Sequence, residues 1–98
     1  MANNVNMNPI RIDTFGADVI INSGQAVVNS IVMEGASAGD TAVFIDTDGE
    51  EVLRLSNSAD GASAIWSPAA PHRFKSGLIF DDSASSLSAG DFVFIFLV

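Results

Sequence analysis

The chain contains no cysteine, which excludes disulfide staples and thiolate metal sites and removes redox compartment as a clue. Its stability has to come from burial. Basic residues are scarce as well: four lysines and arginines stand against twelve aspartates and glutamates, a formal charge of -8. That balance repels phosphate backbones and anionic bilayers, so neither nucleic acid nor a membrane is an expected partner. No run approaches the roughly 18 apolar residues that a membrane helix requires. The opening Met1-Ala2-Asn3-Asn4 lacks a basic n-region and an apolar h-region, so no export signal is expected. No segment sustains a 3.6-residue apolar period over three turns, which leaves little room for helix beyond a single turn at residues 82–87. The one histidine, His72, stands between Pro71 and Arg73, and no nucleophile-elbow or zinc-binding spacing occurs. No enzyme and no cofactor are expected.

What is present is apolar and β-favouring. Hydrophobic residues make up 48% of 98 positions and charged residues 16%, a composition that folds, at a length that supports one core. Residues 1–8 carry four asparagines and little to bury, and read as a flexible arm. Residues 9–98 read as a single domain. Ile10-Arg11-Ile12-Asp13 alternates, and Pro9 before it suits the start of an edge strand. Strands are expected at residues 19–22 and 26–34; strict alternation in the second puts Val27, Asn29, Ile31 and Met33 on one face, and Val28, Ser30 and Val32 on the other.

Residues 41–46 and 51–56 flank an Asp48-Gly49 turn, the clearest hairpin in the chain. A two-residue turn pairs Phe44 with Leu53, whereas a three-residue loop with Gly49 in a left-handed bulge position pairs Phe44 with Val52, and the two registers place opposite faces inward. The acidic tip from Asp46 to Glu51 invites a calcium reading, but Gly49 comes too early for an EF-hand loop and Leu55 stands where its glutamate would be. A solvated turn is the better reading. A brief strand is expected at residues 64–66, an extended loop at Pro68 and Pro71, and a further alternating run over residues 72–80 around Gly77. Ser37-Ala38-Gly39-Asp40, followed by Val43-Phe44-Ile45, recurs as Ser88-Ala89-Gly90-Asp91, followed by Val93-Phe94-Ile95. The echo is either the chance likeness of small-residue turns or a pair of equivalent turns feeding equivalent strands in two sheets. About eight short strands at this spacing predict an all-β chain and a β-sandwich, with a jelly-roll arrangement among the candidate orders.

The run that dominates the sequence is Phe92-Val93-Phe94-Ile95-Phe96-Leu97-Val98. Alternation sends Phe92, Phe94 and Phe96 to one face and Val93, Ile95 and Leu97 to the other, so both faces are apolar. The branched side chains are expected in the core and the rings at an interface, because aromatic residues are enriched there. Three rings of about 150 Å² each, left wholly in water, would forgo about 11 kcal/mol of burial. Trp66 is read as a core plug, an interface anchor or a ligand platform; as an interface residue it joins Phe92, Phe94, Phe96 and Arg11, one of the few cations able to anchor an acidic neighbour.

The order of these features resembles that of small all-β virion proteins of tailed bacteriophages, in particular head decoration or cement proteins. The residues that carry the likeness are Asn8-Pro9-Ile10-Arg11-Ile12-Asp13, Asn29-Ser30-Ile31-Val32-Met33, Asp46-Thr47-Asp48-Gly49, Gly77-Leu78-Ile79-Phe80 and the apolar final strand. The resemblance implies a non-enzymatic, acidic structural protein, a homo-oligomer made in the host cytoplasm that binds the major capsid protein on the outside of the virion capsid. It implies no shared catalytic or ligand residue. A tail or head-tail component is the close variant, a small carbohydrate- or ligand-binding β-sandwich module centred on Trp66 is the rival, and an enzyme using His72 is the third reading.

Overall fold

A computed structural model of the chain describes residues 8–34, 37–58, 63–88 and 90–98, and nine strands lie among them. They are β1 (Ile10–Ile12), β2 (Val19–Asn22), β3 (Ala26–Glu34), β4 (Thr41–Ile45), β5 (Glu51–Ser56), β6 (Ala64–Trp66), β7 (His72–Phe74), β8 (Leu78–Phe80) and β9 (Phe92–Leu97). All pairings are antiparallel. One sheet has the order β1-β9-β3-β6, with β7 on the same side of β3 as β6 and beyond it along the strand; the other has the order β2-β8-β4-β5. The expected all-β sandwich is the fold. Residues 72–80, read as one alternating run, are split between β7 and β8 in opposite sheets.

The pairs β1–β9, β2–β8, β3–β6/β7 and β4–β5 nest inside one another, so the chain is a single long hairpin doubled over, with its tip at residues 46–50. Folding that ribbon across itself brings β9 against β3 and β8 against β4. With β6 and β7 counted as one interrupted edge strand, this is the strand order of an eight-stranded jelly roll. The core between the sheets is filled by Ile10, Ile12, Val28, Ile31, Met33, Phe44, Leu78, Phe80, Val93 and Ile95, all at most 1% exposed.

Two bulges decide which residues reach that core. In β3, Val28 pairs with Leu97 and Ser30 with Phe96, so Asn29 is an extra residue. Strict alternation is thereby corrected: Ala26 and Val28, and not Val27, share the buried face with Ile31 and Met33. In the β4–β5 hairpin, the Asp46 amide donates to the Glu50 carbonyl (2.9 Å), and Gly49 adopts φ +85°, the three-residue loop. Val52 is then bulged, Ile45 pairing with Glu51 and Phe44 with Leu53. The hairpin thus combines the tip of one expected register with the body of the other.

The repeated turns are alike in their bonding. The Ser37 amide donates to Asp40 Oδ2 (2.9 Å), and the Asp40 amide donates back to the Ser37 carbonyl (3.1 Å). Ser88 and Asp91 make the same two bonds at 2.9 and 3.0 Å, and Gly39 and Gly90 have φ of +85° and +97°. One turn feeds β4 and the other β9, interior strands of opposite sheets.

Candidate functional site

In β9, Val93 and Ile95 are fully buried, whereas Phe92 is 36% and Phe96 37% exposed. The branched residues therefore face the core and the rings face out, as their alternation predicts. Phe92 and Phe94 stack on that outer surface, their centroids 6.1 Å apart and planes 16° from parallel. The strands on either side continue it. Arg11 of β1 and Val32 of β3 both pair with Phe94, and Ile65 of β6 pairs with Val32. Side chains on paired residues share a face, so Arg11, Phe94, Val32 and Ile65 form one row across four strands. Ile65 is 63% exposed. The row is flanked by Phe96 beside Ser30 and Phe92 beside Glu34.

Neighbouring side chains cover much of the rings. With roughly a third of their surface left in water, the unrealised burial falls from the 11 kcal/mol expected of bare rings to roughly 4 kcal/mol. That is compatible with a stable isolated subunit and still a usable driving force for docking. Polar groups frame the patch. Arg11 Nε, on the edge strand β1, lies 3.3 Å from Oδ2 of Asp13, the residue that follows the strand. Asn8 clamps the far end of β9, accepting from the Leu97 amide (2.8 Å) and donating to the Leu97 carbonyl (2.9 Å). The reading of residues 1–8 as an arm otherwise falls outside the described residues.

Trp66 does not join this surface. It pairs with Ile31, an inward-facing residue, and packs against the core with Phe74, their ring centroids 5.8 Å apart. His72 meets Trp66 at 5.9 Å and Phe74 at 4.7 Å, both edge to face. The indole plugs the side of the sandwich where β6 and β7 run. At the hairpin tip, Asp46 Oδ1 accepts from the backbone amides of Asp48 (2.9 Å) and Glu50 (3.0 Å), so this carboxylate shapes the loop. Nearby, hydrogen bonding to Arg54 holds the exposed Glu51 carboxyl below its ordinary pKa.

Two features escaped the sequence reading. The second sheet carries its own outer apolar row, Ile20–Ile79–Ile45, with Ile20 58% exposed; each residue lies on a different strand, so no local pattern announces it. A cleft of about 370 Å³ opens between the hairpin and β7, lined by Asp46, Val52 and residues 72–77. The alternation around residues 72–80 could have flagged its basic wall, but Asp46 on the acidic wall stands 27 residues before Arg73 in the chain. No protein-family model, curated protein or solved structure matches this chain.

Proposed function

We propose that the chain is a non-enzymatic virion structural protein of a tailed bacteriophage that decorates the capsid exterior, docking through the outer face of the β1-β9-β3-β6 sheet. The observation that carries this reading is the row Arg11, Phe94, Val32 and Ile65 with Phe92 and Phe96 beside it, a contiguous apolar surface with a charged rim on an otherwise strongly acidic protein. Its support also includes the jelly-roll strand order, an architecture used by capsid proteins among others, and the resemblance in feature order to head decoration proteins. In this reading the major capsid protein covers the aromatic face, Arg11 meets an acidic group there, and copies of the chain associate on the lattice.

Co-sedimentation with expanded, undecorated capsids tests the proposal. Wild-type protein is expected to pellet with the capsids, and the double variant Phe92→Ser/Phe96→Ser to remain in the supernatant while keeping its fold. Wild-type protein that stays in the supernatant, or a folded double variant that still pellets, overturns it.

A further inference from the structure

Four cations serve this chain, and the structure divides them into two pairs. Arg11 lies against Asp13 and Arg54 against Glu51. Arg73 and Lys75 have no carboxylate within 4.0 Å among the described residues, although acids outnumber bases three to one. Both line the cleft of about 370 Å³, together with His72. In an acidic protein, two neighbouring cations left without a partner carry a local repulsion that an anion would relieve.

The cleft has a fixed frame. The Thr47 amide and hydroxyl both donate to the Ser76 carbonyl, at 2.9 and 2.8 Å, and tie the β7–β8 connection to the hairpin tip. His72 is held by its ring contacts with Trp66 and Phe74. The opposite wall supplies Val52, bulged out of β5 and 39% exposed, and Asp46, of which Oδ1 is occupied by loop amides. Cations on one side, a carboxylate acceptor on the other and an aliphatic surface beside them make a site that a plain inorganic anion only half fills.

We infer that this cleft binds an acidic saccharide unit, its anionic group held by Arg73 and Lys75 and a hydroxyl donating to Asp46. The site stands apart from the aromatic face of β9 and does not depend on the capsid reading. Arg73 offers a guanidinium fork to a carboxylate or sulfate, and Lys75 a second charge. Asp46 distinguishes a polyhydroxylated acid from a bare anion, because a carboxylate attracts a hydroxyl donor and repels a second negative charge.

Backbone amide NMR titration of the intact chain with glucuronate, glucose and inorganic phosphate tests the inference. Saturable shifts at residues 72–77 are expected with glucuronate and not with glucose. Arg73→Gln/Lys75→Gln should weaken glucuronate about tenfold or more, as befits loss of two charge-assisted contacts. Asp46→Asn retains a carbonyl acceptor for the loop amides; it should weaken glucuronate relative to phosphate. The inference is overturned by the absence of saturable shifts, by equal binding of glucose, by a double variant that binds undiminished, or by an Asp46→Asn effect common to glucuronate and phosphate.

Discussion

Gly77 stands where the chain leaves one sheet for the other, and its backbone has φ +96°. A Cβ there would lie 2.9 Å from Thr47 Cγ2 and 3.0 Å from the Asn22 carbonyl oxygen, so both conformation and space demand glycine. Gly49 shares the left-handed conformation, but a Cβ on it meets nothing within 4 Å. Gly77→Ala should therefore cost about 2 to 4 kcal/mol and Gly49→Ala about 1 kcal/mol, read from denaturant midpoints; equal losses would show that crowding at Gly77 is relieved cheaply. Asp46 makes a second argument at this scale. Its Oδ1 already serves two amides of its own loop, and the tip lacks the spacing of a calcium loop. Melts in excess calcium and in chelator should coincide, whereas a true site would add about 2.7 kcal/mol at one hundred times its dissociation constant. Asp46 was visible in the sequence as an acid at a turn, whereas the sequence around Gly77 reads as one alternating run over residues 72–80. What Gly77 touches was not visible, because Thr47 comes from the hairpin tip and Asn22 from the end of β2, both distant in sequence.

Among the elements, β9 carries the sharpest contrast between faces. Ile95 is fully buried between the sheets, while Phe94, one residue away, lies in the outer row. Ile95→Ser should cost about 4 kcal/mol or more and unfold much of the population, through lost burial and a hydroxyl placed in an apolar core. Phe94→Ser should keep the fold and lose binding, which circular dichroism and capsid co-sedimentation would separate. An unfolded Phe94→Ser protein would mean that the ring serves its own sheet before any partner. The alternation of this strand was legible because a continuous seven-residue apolar run admits one strand and two faces. In β3 the same logic misplaced Val27 and Val28, since the Asn29 bulge shifts the phase by one residue and nothing in Val27-Val28-Asn29-Ser30 announces it. The hairpin likewise needed Val52 to bulge before Phe44 could reach the core opposite Leu53.

For the whole molecule, the doubled hairpin makes β9 an interior strand between β1 and β3, so the strands farthest apart in sequence are neighbours in one sheet. Amides of β9 and of β3 facing it should exchange with solvent only through global unfolding, while those of β6 and β7 at the interrupted edge exchange earlier by local opening; uniform protection across the sheet would contradict this ranking. Composition and periodicity determined the all-β class, the position of nearly every strand, the hairpin at Asp48-Gly49 and the inward face of β9, because these depend on the two-residue repeat and on turn chemistry that act within a few residues. The tertiary structure decided the rest. It set the nesting of strands into two sheets, gave Trp66 to the core instead of the outer face, and assembled the Arg11–Phe94–Val32–Ile65 row from four strands. It also brought Arg73 and Lys75 opposite Asp46 across one cleft. Each of these depends on register between segments distant in sequence, and register is fixed by how bulged strands share one core, a property of the assembled sheets that no single segment holds.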